Sequence, residues 1–147
     1  MQSSKTMWLV IAGVLVLLGG SALLRAWPVI NIVETGRTPE YPDIQPRRYA
    51  ERKARVHEAA HRAIESLPRW TLVSQDAAQG VIRAVVTSRL FRFVDDVQIR
   101  IEEKDGGAII NVRSASRVGK SDFGQNARHI RSLFEAIDRQ LETKAVS

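Results

Sequence analysis

From Val97 to Ser116 the chain alternates apolar and polar residues, breaks once at Lys104-Asp105-Gly106-Gly107, and then alternates again. A period of two places every apolar side chain of a strand on one face, and Asp-Gly between two such runs is a strong short-range signal of a hairpin. VQIRIEE (97–103) and GAIINVRSAS (107–116) are therefore read as paired antiparallel strands. WTLVS (70–74) and GVIRAVVTS (80–88) alternate in the same way, which commits the chain to a four-stranded antiparallel sheet. Val97, Ile99, Ile101, Ile110, Val112, Ile82, Ala84 and Val86 form its apolar face. The other face carries Arg83, Gln98, Arg100, Glu102, Asn111 and Arg113, either as a wet surface with cross-strand charge pairs or as a docking surface for an acidic partner.

The apolar face needs a cover, and two helical patterns flank the strands. From Arg47 to Leu67 the residues Tyr49, Val56, Ala60, Ala63, Ile64 and Leu67 share one helical face, with Pro46 before the start and Pro68 at the end. After SRVGKSDFGQ, Asn126 reads as the N-cap of a second helix running to about Thr143, with Ile130, Leu133, Phe134, Ile137 and Leu141 as its apolar stripe. The expected fold is α+β: a two-layer sandwich in the order α-β-β-β-β-α, with both helices on one face of the sheet.

Ahead of this domain, TMWLVIAGVLVLLGGSALL (6–24) contains no charge, and Trp8 and Trp27 bracket it. At helical rise the two tryptophans stand roughly 28 Å apart, near the thickness of a bilayer's hydrocarbon. Residues 1–27 are accordingly expected to be a transmembrane signal anchor that meets the lipid bilayer through residues 7–24. A cleaved signal peptide is the rival, although Leu24-Arg25-Ala26 makes a poor cleavage site. Charge counting leaves the orientation open, because Lys5 lies before the span while Arg25, Arg37, Arg47 and Arg48 lie after it. Residues 28–46 hold four of the five prolines and read as an extended tether. Their apolar piece, Val29, Ile30, Ile32 and Val33, is also compatible with lying along the domain or adding an edge strand.

The absence of cysteine excludes disulfides, thiolate metal sites, cysteine nucleophiles and a lipoprotein anchor. The net charge of +6 is spread among acidic residues without a basic block, which argues against nucleic acid as a partner. HEAAH (57–61) has the spacing of a zincin helix, in which two histidines bind zinc and the glutamate polarises the attacking water. The wheel disfavours it: His57 lies at the rim of the apolar stripe, His61 farther out, and Glu58 nearly opposite the core. No third ligand follows at zincin spacing, and His129 falls on the exposed side of the terminal helix. No nucleophile elbow, phosphate loop or dinucleotide fingerprint is present, so no catalytic residue, metal or cofactor is assigned. Asp95-Asp96 is read as a turn and edge pair.

Two neighbouring motifs carry a family resemblance. Arg92-Phe93-Val94-Asp95-Asp96-Val97 opens a strand; then Arg113, Ser114, Ser116, Arg117, Gly119, Ser121, Asp122, Gly124 and Asn126 follow the pattern R-S-x-S-R-x-G-x-S-D-x-G-x-N. The segment 87–137 resembles the bacterial and plastid family known as domain of unknown function 1499. The resemblance implies no reaction. It implies a membrane-anchored or exported protein, hence a domain on the periplasmic side of a bacterial inner membrane. Many members carry a cysteine near the start of the domain, which this chain lacks.

Read from the residues alone, Arg113, Arg117, Ser121, Asp122 and Asn126 have two uses. They can form a structural junction, with oxygens meeting the free N–H groups at the start of the last helix. Alternatively, they can form a pocket in which arginines and a helix N-terminus hold phosphate or carboxylate. The functional expectation is a non-enzymatic binding module for a protein partner, a lipid head group or a small anionic ligand. A zinc hydrolase using His57, Glu58 and His61 and an accessory subunit of a membrane complex are the alternatives.

Overall fold

The structure, a computed structural model, describes residues 8–11, 14 and 28–145 of the chain. From residue 28 onward the order is β1 (Ile32–Glu34), β2 (Arg47–Tyr49), α1 (Lys53–Ser66), β3 (Trp70–Asp76), β4 (Val81–Thr87), β5 (Val94–Lys104), β6 (Gly107–Ser116) and α2 (Gln125–Ala145). Strands β3 to β6 form an antiparallel meander, and β1 and β2 both pair with the outer edge of β6. The β5–β6 turn has Asp105 and Gly106 at φ +52° and +81°, the two positive values a tight hairpin of this hand requires.

The sheet therefore has six strands where alternation indicates four. The two additional strands lie in line along one edge. Ile32–Glu34 opposes Ala115 to Arg113, and Arg47–Tyr49 opposes Ile110 to Ala108. Between them the chain makes an excursion that returns to its start, with Gly36 N–H donating to the Ile44 carbonyl at 2.8 Å. Val33 and Ile44 are buried, so the proline-rich segment supplies two core residues as well as β1. Three-residue strands are too short for a period to register, and the prolines around them mask what remains.

The first helix starts at Lys53, six residues later than its pattern indicates. Arg47 and Tyr49 turn instead toward α2, where both donate to Asp138, at 2.6 and 2.9 Å. The Arg47 guanidinium also lies 4.8 Å over the Phe134 ring. Arg48, on the other side of the strand, donates to Asp105 at 2.9 Å. Gly107 admits this strand, because a Cβ there would stand 2.2 Å from the Tyr49 carbonyl oxygen.

Both helices cover one face. Val56, Ala60, Ala63 and Ile64 of α1 and Ile130, Leu133 and Ile137 of α2 pack on Ile82, Val97, Ile99, Ile101, Ile110 and Val112. Each fully buried Ile or Leu contributes about 1.5–3 kcal/mol in transfer free energy. The small residues of α1 let the helices approach closely. At the start of α2 the cap is Asp122, not Asn126: its carboxylate accepts from Gly124 N–H at 2.9 Å and Asn126 N–H at 2.8 Å.

Among the described residues no helix is long and apolar enough to cross a membrane. The expected span over residues 7–24 is described only as helical backbone at 8–11 and 14. The rest of the expected anchor lies outside the described residues. A transmembrane signal anchor is accordingly removed from the fold class.

The β2–β6 pairing can be tested at Gly107. Gly107→Ala should destabilise the protein by about 1–3 kcal/mol in urea denaturation, the usual range for forcing extra volume into a closed site. It should also speed hydrogen exchange at the amides of Arg47 to Tyr49. Unchanged exchange there would contradict the pairing.

Candidate functional site

A buried polar cluster lies where β5, β6, α2 and the chain at Asn31 meet. Asn126, fully buried, is at its centre. Its side-chain N–H groups donate to the Asn31 carbonyl and to Ser116 Oγ, each at 2.9 Å, and its Oδ1 accepts from Ser114 Oγ at 2.6 Å. Ser116 in turn hydrogen-bonds Asp95. Asp95 keeps the inward phase of Val97, Ile99 and Ile101 along β5, while Asp96 points out. The pair is therefore part of a strand with its two carboxylates on opposite faces.

His129 completes the cluster and is buried, contrary to its expected exposure. It follows Asn126 by three residues and precedes Leu133 by four, which puts it on the inner stripe of α2. Its ring meets Trp70 edge-on at 5.9 Å. The proton position follows from the network. Arg128 donates to Gln125 Oε1 at 2.8 Å, so the Gln125 amide nitrogen is the atom 3.0 Å from His129 Nε2 and donates to it. Nδ1 then carries the hydrogen and faces Ser114 Oγ at 3.5 Å and Asp95 Oδ2 at 3.6 Å. Burial, reinforced by Arg128 and Arg69 and opposed by Asp122, pushes the imidazole down to about 4. Burial also pushes the Asp95 carboxyl up, against the pull of the Ser116 hydroxyl. The contact is within ion-pair distance, yet burial drives both groups away from their charged forms.

Serine, histidine and aspartate thus meet, but not as a catalytic triad. A relay needs the serine on one ring nitrogen and the carboxylate on the other. Here both face Nδ1, Nε2 is taken by Gln125, and Ser114 is fully buried with its hydrogen on Asn126. The cluster ties elements together and exposes no nucleophile.

The HEAAH helix is no better arranged for hydrolysis. His57 is buried with Nε2 unpartnered, and burial, with His61 and Lys53 adding, holds its imidazole below the ordinary range. Glu58 forms an ion pair with Arg62, and His61 lies 3.5 Å from Glu65. Among the described residues no group of three or more His, Asp or Glu side chains could hold a metal ion.

The residues proposed as an anion pocket are divided by the sheet. Asp122 caps α2, Asn126 holds the buried cluster, and Ser121 Oγ donates to the Pro28 carbonyl at 3.4 Å. Arg113 and Arg117 stand on the open face instead. Arg117 forms a two-pronged pair with Asp96 at 2.9 and 2.7 Å, which holds the Asp96 carboxyl below its ordinary range.

On that open face the register places Arg83 opposite Gln98 and Gln98 opposite Arg113, one row across three strands. Arg100, in the next row, lies opposite Val81 and Asn111. Gln98, Arg100, Asn111 and Arg113 line an open groove of about 490 Å³ bounded by Glu34, Arg37 and Glu102. Glu34 is the residue opposite Arg113, but its carboxylate pairs with Arg37 at 3.2 Å. Among the described residues Arg83, Arg100 and Arg113 have no carboxylate at ion-pair distance, whereas Arg37, Arg48 and Arg117 each have one.

The architecture defines a two-layer α+β protein with a curtain of two helices over one face of an antiparallel sheet. The chain belongs to the family described as "Protein of unknown function (DUF1499)", whose profile matches residues 23–137. Among solved structures, that of Ara h 8.0201 is similar at a TM-score of 0.54 with 13% identity, covering 76% of this chain and 98% of that one. At that identity the likeness concerns the fold alone. The structure of TTHA0849 from Thermus thermophilus matches with a TM-score of 0.42 and 8% identity over 77% of this chain and 98% of that one, too distant to carry an argument. No curated protein matches the chain.

The buried histidine makes stability depend on pH. In the unfolded chain imidazole titrates near 6.5, while folded His129 stays neutral down to about 4. Between these values the unfolded state binds more protons, so stability should fall as pH drops, by at most about 1.4 kcal/mol per unit for this group. His57, lowered in the same direction, adds to the slope, and Asp95, raised, offsets part of it at the acid end. Urea denaturation from pH 7 to 4 should show this fall, and His129→Gln should flatten it. An unchanged slope in the variant would contradict the assignment.

Proposed function

We propose that the protein is a non-catalytic binding module whose open sheet face takes a ligand bearing carboxylate or phosphate. The observation that carries this reading is the pair Arg100 and Arg113, in one groove with Gln98 and Asn111 and, among the described residues, with no carboxylate at ion-pair distance, Asp96 acting on Arg113 only at longer range. On a wet sheet a cross-strand charge gains by facing an opposite one. Here the groove presents from its floor two guanidinium groups, each able to form a bidentate pair, flanked by two carboxamides whose N–H groups add donors. Glu34 and Glu102 at its edge limit the ligand to one that reaches the floor between them. Arg83, continuing the row on β4, extends the positive potential beyond the groove. Hydrogen bonds of this charged kind contribute about 1.5–3 kcal/mol each, and on an exposed face they weaken as salt is added.

The test is a titration of the full chain with tripolyphosphate, followed through the arginine Nε–H resonances. Arg100 and Arg113 should shift in a saturable way. The double variant R100Q/R113Q should weaken binding by about 100-fold or more, as expected from losing two charged contacts of about 1.5 kcal/mol or more each. R48Q, which breaks a surface pair with Asp105, should change it by less than about 2-fold. Equal losses in the two variants, or no saturable shift at low salt, would overturn the reading.

A further inference from the structure

The end of the sheet where β4, β5 and β6 exchange loops differs from the rest of the surface. Loop 88–93 joins β4 to β5, loop 117–124 joins β6 to α2, and the chain around Val29 runs beside them. Their common location follows from the hydrogen bonds. Thr87 N–H donates to the Arg69 carbonyl, Arg117 N–H to Val94, and Asp122 N–H to Ile30. Asn31 Nδ2 donates to the Gly119 carbonyl at 2.8 Å. From residue 28 onward, every exposed large apolar side chain except Ile32 on β1 and Val73 on β3 belongs to this end. Leu90 is 80% exposed, Val29 76%, Phe91 68%, Val118 60%, Phe123 52% and Phe93 48%. An accumulation of this kind marks an interaction site, because monomer surfaces seldom gather their large apolar groups in one place.

The charges between these side chains say what the site fits. Arg89, Arg92 and Lys120 are exposed, and the single acid of the two loops, Asp122, is buried and occupied in capping α2. We infer that this loop end docks on an anionic lipid surface, with the apolar tips entering the head-group region and Arg89, Arg92 and Lys120 meeting lipid phosphates. The contact is interfacial and uses no spanning helix. A second copy of the chain is disfavoured by like charge across the contact. A nucleic acid is disfavoured because Phe91 and Phe93 stack on each other at 5.5 Å, and the other tips are largely aliphatic, with no role in base stacking. Three separate loops projecting apolar tips suit a soft planar medium rather than one protein pocket. The surface is distinct from the arginine groove on the open face, so the two bind independently.

The chain has no cysteine, so L90C and V118C each take a single nitroxide label, with Q79C in the β3–β4 turn at the opposite end as control. The labelled full-length proteins are mixed with phosphatidylglycerol vesicles and with phosphatidylcholine vesicles. At Leu90 and Val118, anionic vesicles should raise accessibility to oxygen and lower accessibility to a water-soluble nickel complex, while Gln79 stays aqueous. Replacing all three cations, as R89Q/R92Q/K120Q, should lower partitioning to the anionic vesicles about 100-fold, from the effect of a single basic residue near such a surface. The R100Q/R113Q protein should partition normally. Labels at Leu90 and Val118 that remain aqueous on anionic vesicles would overturn the inference. So would equal immersion in phosphatidylcholine, or immobilisation that depends on protein concentration without vesicles.

Discussion

Asn126 has a carboxamide with two donor hydrogens and an acceptor oxygen, and it sits where water cannot reach it. An unmet amide there would cost about 1–3 kcal/mol, so each of its polar atoms must find a partner within the protein. They find Asn31, at the edge of the sheet, and Ser114 and Ser116 on β6. That single side chain therefore fixes α2 against β6, brings the segment at Asn31 onto the sheet edge, and through Ser116 reaches Asp95 on β5. Asp122, one turn before it, meets the free N–H groups at the start of the helix. The family motif from Arg113 to Asn126 is mainly the covalent path of this junction. Its inward residues build the network, while its arginines are delivered to the opposite face.

Alternation along β5 and β6 separates the two roles. Asp95 and Ser114 point into the protein, where burial makes charge unfavourable and keeps His129 neutral. Asp96, Gln98, Arg100 and Arg113 point out, where Asp96 pairs with Arg117 and the charges of Arg100 and Arg113 stay hydrated. The interrupted edge strand matters for the same surface. By pairing with β6 it places Glu34 and Arg37 beside the groove, and their mutual ion pair leaves Arg113 without its cross-strand acid. Beyond the junction, the loops at the end of the sheet expose their apolar tips.

The hairpin, the meander and the apolar stripes of both helices were legible because each repeats over enough residues for a period to emerge. The composition of the outward face was legible for the same reason. The edge strands were not, since their three residues each are specified by partners far along the chain: Gly107 for close approach and Asp138 for Arg47 and Tyr49. The late start of α1 has the same origin. Asp95 carried a usable signal, its phase with Val97 and Ile99, and so did His129, spaced between Asn126 and Leu133; a polar residue in an apolar phase is easily taken for an exposed one. HEAAH shows the converse, a motif whose spacing is right while His57 is buried and Glu58 and His61 face Arg62 and Glu65. The uncharged N-terminal stretch resembles a membrane span by composition, but the described residues contain no helix of that kind.

Native-state hydrogen exchange on the full chain tests the role of the junction most directly. The amides of Ser116, Asp122 and Asn126 donate to Asn31, Ile30 and Asp122, and so report on the attachment of the edge segment and the helix start. If the junction organises the fold, these amides exchange only through global unfolding, with the same opening free energy and denaturant dependence as Ile99 in the core. Exchange through local openings insensitive to denaturant, at the rate of the loop amides of Leu90 and Val118, would contradict it.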